Sequence, residues 1–113
     1  MEGNRELKSI SDWQAALAES KEKPLFIFKH STTCPISAEA FDEYAKYLHK
    51  HPNADITHAH VLVIESRPVS NAIAESLSLK HESPQAIYIK DGKIAWHTSH
   101  WRITEQALRE HLQ

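Results

Sequence analysis

Thr32-Thr33-Cys34-Pro35-Ile36-Ser37 stands between an apolar run, Leu25-Phe26-Ile27-Phe28, and a segment in which Phe41, Tyr44, Ala45 and Leu48 recur at helical spacing. The run predicts a strand and the spacing predicts a helix, so one gives way to the other at the only cysteine of the chain. Pro35 suits the first helical position, where its missing N–H would have had no partner and its φ is already close to helical. Cys34 is then expected at or beside the N-cap, its sulfur facing the unpaired N–H groups of the first turn, those of Ile36 and Ser37 among them.

Unpaired N–H groups and the helix dipole favour negative charge, by about 0.3–1 kcal/mol and up to ~2 when partly buried. A thiol in such a place is biased toward thiolate, the form that attacks disulfides. The gain is moderate: a shift of about two units gives roughly 25-fold more thiolate but roughly 8-fold lower nucleophilicity, a net factor near three. A Ser37 hydroxyl bonded to the sulfur would add to the effect. Lys29 and His30 are expected to favour the charge, and Glu39, Asp42 and Glu43 to oppose it. The other reading of a lone cysteine is a small buried hydrophobe. The strand, Cys-Pro, helix context favours the reactive thiol.

Composition narrows the function classes. A chain of 113 residues predicts a single domain over 1–113. Its 41% hydrophobic and 25% charged residues are ordinary for a globular protein. A net charge of −2 with scattered Lys and Arg leaves no footprint for nucleic acid. The longest apolar runs are far short of the ~20 residues that span a bilayer, and Glu2, Arg5, Glu6 and Lys8 leave no room for an apolar leader core. One cysteine makes no internal disulfide, which fits a reducing cytosol and a cytoplasmic location. With only Gly3 and Gly92, neither glycine-rich phosphate-binding loop can form.

Along the chain, a short strand is expected around Leu7–Ile10. Ser11 with Gln14 forms a capping box for a helix with Trp13, Ala16 and Leu17 inward. A strand over Leu25–Lys29 and the Cys34 helix to about Lys50 follow. Val61-Leu62-Val63-Ile64 reads as an interior parallel strand covered on both faces. Ser66-Arg67-Pro68 starts a helix with Val69, Ile73, Ala74 and Leu77 inward, ending near Lys80. Ala86–Ile89, Asp91-Gly92 and Ile94–Trp96 form a hairpin with a two-residue turn. Thr104 caps a last helix with Ala107, Leu108 and Leu112 inward. This order predicts an α/β fold, a central mixed sheet flanked by helices on both faces, with Cys34 at the carboxyl end of a central strand.

The arrangement resembles the thioredoxin-like fold, and Cys34-Pro35-Ile36-Ser37 resembles its C-P-x-C motif with serine for the second cysteine. Pro84, in Glu82-Ser83-Pro84-Gln85, lies where that fold carries its cis-proline. Thr33-Cys34-Pro35-Ile36-Ser37, Ser83-Pro84-Gln85 and Trp96-His97-Thr98-Ser99-His100-Trp101 together are similar to the monothiol bacilliredoxins. That resemblance implies a thiol-disulfide oxidoreductase that removes bacillithiol from client proteins. Its partners would be bacillithiol, S-bacillithiolated proteins, and a separate thiol or reductase for regeneration. Cys34 would be the nucleophile, with Thr33, Pro35, Ile36, Ser37, Ser83 and Pro84 contacting substrate and no cofactor or metal needed. Serine at 37 puts an intramolecular dithiol mechanism out of reach.

Two alternatives remain from the sequence: a glutaredoxin-like carrier of a bridging iron–sulfur cluster, and a non-catalytic binding module of the same fold. Pro35 and Ile36 fit the carrier poorly, because the family that carries clusters has Gly and Phe after the cysteine. Nine histidines invite a metal reading, with His58 and His60 on one face if extended and His97 near His100. Solvated surface histidines are the simpler expectation, with His49, His51, His81 and His111 near helix C-termini. Trp13, Trp96 and Trp101 are read as core, although the sequence leaves open whether Trp96 and Trp101 border the thiol.

Overall fold

The computed structural model describes residues 4–112. Its elements in chain order are β1 (Asn4–Glu6), α1 (Ile10–Glu19), β2 (Leu25–His30), α2 (Pro35–Lys50), β3 (Thr57–Leu62), α3 (Arg67–Leu77), β4 (Gln85–Lys90), β5 (Lys93–Ser99), a 3₁₀ turn (His100–Arg102) and α4 (Glu105–His111). One five-stranded sheet has the order β1-β3-β2-β4-β5. β1, β3 and β2 run parallel, while β2–β4 and β4–β5 are antiparallel. This is the mixed sheet expected.

Alternation along the strands divides the core into two layers. Leu25 and Ile27 of β2 join Trp13, Ala16, Val69 and Ile73 under α1 and α3. Phe26 and Phe28 join Ala40, Tyr44, Tyr47, Leu108 and Leu112 under α2 and α4. β2 is central and buried on both faces, so its near-continuous apolar sequence is what such a strand requires. The β4–β5 hairpin turns at Asp91 and Gly92, with φ of 53° and 75°, the left-handed pair that a two-residue turn between twisted strands needs.

Four local expectations are corrected. The first strand lies at Asn4–Glu6, leaving Leu7 buried at 2% exposure and Ile10 at the start of α1. The cap of α1 is Ser9 rather than Ser11: Ser9 accepts the Asp12 N–H, and the Asp12 carboxylate accepts the N–H groups of Lys8 and Ser9. A carboxylate so placed meets two backbone donors and the helix dipole, which a Gln14 amide would not match.

β3 begins at Thr57 and ends at Leu62, and Ile64 is 47% exposed. Its two histidines enter the sheet with a partner at Nδ1 each. His60 Nδ1 bonds the Asn4 side-chain oxygen, Asn4 Nδ2 donates to the Tyr44 hydroxyl, and that hydroxyl bonds His58 Nδ1. α3 stops at Leu77: Ser78 turns left-handed, its N–H bonds Glu75 O and the Leu79 N–H returns to Ala74 O. This Schellman closure turns Leu79 back onto the core. Ser70, not expected inward, is buried on α3 beside Val69 and Ile73.

Candidate functional site

β2 delivers the chain to the amino end of α2, and Cys34 occupies the N-cap with extended φ and ψ of −107° and 121°. Pro35 opens the helix, and Ala38 donates its N–H to Cys34 O at 3.0 Å. The thiol is partly exposed, not buried as a core residue. No cap hydrogen bond reaches its side chain, so the first turn acts on the sulfur through its field, not through a directed bond from Ile36 or Ser37.

The expected Ser37–sulfur contact is absent as well. Ser37 is fully buried, and its hydroxyl accepts the Ser31 N–H at 2.9 Å and meets His30 Nδ1 at 2.7 Å. His30 is stacked on Phe41, ring centroids 4.6 Å apart. These contacts fasten the loop preceding Cys34 to the helix that follows it. Burial lowers the His30 pKa, a nearby His60 adds to the shift and Glu65 opposes it, so the ring is held neutral rather than cationic toward the thiol.

Lys29 also departs from its expected role. Its side chain is fully buried under α3, with Nζ 3.1 Å from Ser70 O and 3.1 Å from His81 Nδ1. Desolvation lowers its pKa to about 8. Its charge serves this polar contact, and His81 is a partner to it rather than a helix-end histidine. His58 is likewise no surface residue: it is 8% exposed and desolvation lowers its pKa to about 4.

The Ser83–Pro84 bond is cis, Pro84 is buried, and Pro84 O accepts the His100 N–H at 3.0 Å. That bond links the proline loop to the 3₁₀ turn. His100 takes a left-handed φ of 53°. Between the turn and the first half of α2 lies a cleft of about 280 Å³ whose walls include Ile36, Glu39, Asp42, His100 and Trp101. The structure therefore brings Ile36 and His100 to one cleft, joins Pro84 to it by a hydrogen bond, and leaves Thr33 and Pro35 exposed beside Cys34.

Trp101 is 65% exposed, which overturns its reading as core. Trp13 is core, and Trp96 packs against the core layer on the other sheet face, stacked on His111 with centroids 4.4 Å apart. His97 is exposed on β5. Sequence reasoning missed the burial of Lys29 and His58; the available signal was that Lys29 closes the apolar run from Leu25 and that His58 shortly precedes the run Val61–Ile64. Among the described residues no helix is long and apolar enough to cross a membrane.

Residues 5–108 match the family model described as Monothiol bacilliredoxin BrxC. A solved structure described as a candidate oxidoreductase with a thioredoxin fold is 34% identical, covering 98% of this chain and 95% of its own, with a TM-score of 0.84. Fasciola hepatica thioredoxin is 22% identical over 94% of this chain and 93% of its own, TM-score 0.71. Arabidopsis thaliana thioredoxin O2, in its oxidized state, is 18% identical over 98% and 96%, TM-score 0.76. The last two establish a shared fold.

Proposed function

Since the chain belongs to the monothiol bacilliredoxin BrxC family, we propose that it removes bacillithiol from mixed disulfides on client proteins, with Cys34 as the nucleophile. The observation that carries this reading is a partly exposed N-cap cysteine with a buried serine, Ser37, three residues on. Cys34 attacks as its thiolate on the bacillithiol sulfur of the client disulfide. The Cys34–bacillithiol S–S bond forms, the client S–S bond breaks, and the client leaves as a thiolate that takes a proton from water. Oxidation state is conserved across the exchange.

With serine at 37 the resulting disulfide is cleared from outside. A second bacillithiol thiolate, or a reductase thiol, attacks the bound bacillithiol sulfur and releases Cys34 as thiolate. The relay asks Cys34 both to attack a disulfide and to leave from one. Ser83 and Pro84 would present backbone groups to the incoming disulfide, and Thr33, Pro35 and Ile36 would form the surface around the sulfur. Ser37 acts indirectly, by holding the loop. A reducing cytosol is the compartment in which such a relay operates.

The test is intact mass. A bacillithiolated client mixed with the protein should yield free client thiol and a protein heavier by one bacillithiol, mapped to Cys34. Cys34→Ser should give neither product. Client release without any Cys34 adduct would overturn the assignment.

A further inference from the structure

We propose that the acidic face of α2 and Trp101 form a subsite for bacillithiol beyond its sulfur, the carboxylates for its ammonium and the indole for its sugar, so that the cleft opening at Ile36 distinguishes this thiol from smaller ones. The inference rests on the function proposed above and names what selects the substrate of that same cysteine. Trp101 is the most exposed of the large hydrophobic residues described. An indole left in water on a 3₁₀ turn contributes nothing to the core, yet this turn is restrained. His100 adopts a left-handed backbone that a non-glycine residue enters at an energetic cost, with its N–H bonded to Pro84 O and its carbonyl accepting the Ile103 N–H at 3.2 Å. The indole is thus presented by the segment that is tied to Pro84.

The opposite wall follows helical spacing. Ile36, Glu39 and Glu43 lie at i, i+3 and i+7, and Lys46 continues the same face. From Ile36 to Lys46 the helix rises about 15 Å, starting two residues from the thiol. Bacillithiol carries, in order from its sulfur, an ammonium, a pyranose and two malate carboxylates. The cleft opens at Ile36, two residues after Cys34, and along α2 from there come the exposed carboxylates of Glu39 and Asp42 and then Lys46, with Trp101 on the other wall. Carboxylate meets ammonium, the apolar face of the sugar meets the indole face, and a lysine stands toward the malate end. Glu43 accepts the Glu105 N–H at 2.9 Å and holds Lys46 in an exposed i,i+3 pair, a weak contact from which a malate carboxylate would draw the lysine.

One client peptide, prepared as its bacillithiol disulfide and as its cysteine disulfide, tests this. The readout is the ratio of second-order rate constants for client release in a single turnover. The wild-type ratio should favour bacillithiol. Trp101→Ala should lower that ratio roughly five- to tenfold, the scale of one aromatic contact, and Trp101→Phe should retain most of it. The indole is exposed, so these variants are expected to fold. A wild-type ratio near one, or a ratio unmoved in Trp101→Ala even if both rates fall together, overturns the subsite; the latter would assign Trp101 to the client peptide. Failure of the wild type to release client from the bacillithiol disulfide would overturn the proposed function itself, and the subsite with it.

Discussion

Ser37 occupies the position where a dithiol exchanger would place its second cysteine, and here it is a brace. Its hydroxyl is the acceptor for the buried Ser31 N–H and a partner of His30, two contacts that bridge the end of β2 to the first turn of α2. Ser37→Ala would strand the Ser31 N–H, at a cost of about 1–3 kcal/mol for an unsatisfied buried donor. Urea unfolding should show a lower midpoint at unchanged slope. A variant as stable as wild type would mean that water takes over the bond and that the brace is dispensable.

Caps and strand interiors carry the next scale. Ser9→Ala should destabilise the protein by about 1 kcal/mol, while Ser11→Ala, with Ser11 exposed inside α1, should have little effect. The two urea midpoints decide between the caps. In β3, His58 is held neutral, its pKa lowered from 6.5 to about 4 by burial. Because the unfolded chain binds the extra proton between these values, stability is full above pH 6.5 and falls as pH drops toward 4. The loss from this group is about 3 kcal/mol. His30, His60 and His81 are shifted in the same direction. His58→Gln should flatten the midpoint-against-pH curve in that window, and a curve as steep as the wild type's would sink the assignment.

Across the whole molecule, Lys29 joins the central strand, α3 and the segment leading to Pro84, through partners 41 and 52 residues away in sequence. Its pKa falls from 10.5 to about 8 on burial. Between these values the unfolded chain binds more protons, so this group makes stability rise with pH, and the cost of burying the ammonium is fully present below pH 8. Raised tyrosine pKa values at 44, 47 and 88 act in the opposite sense at the alkaline end, so the informative quantity is the difference from a Lys29→Met variant. Wild type should gain stability relative to Lys29→Met from pH 8 to 10, by urea unfolding. A constant offset would show that Lys29 does not titrate in that range.

What the sequence determined by itself is what neighbouring residues decide. The strand before Cys34, the proline-led helix after it, the Asp91-Gly92 hairpin turn and the Thr104 cap all follow from spacing and turn chemistry within a few residues, and they were enough to place the cysteine. Only the tertiary structure decided that Lys29 and His58 could be buried, that Ser37 would face its own loop instead of the thiol, and that Trp101 would stand in solvent across a cleft from Ile36. The physical reason is that burying a polar group costs far less when a partner meets it, and an indole is exposed only when nothing covers it. Those partners and covers come from segments distant in sequence, so they exist only once the sheet has assembled.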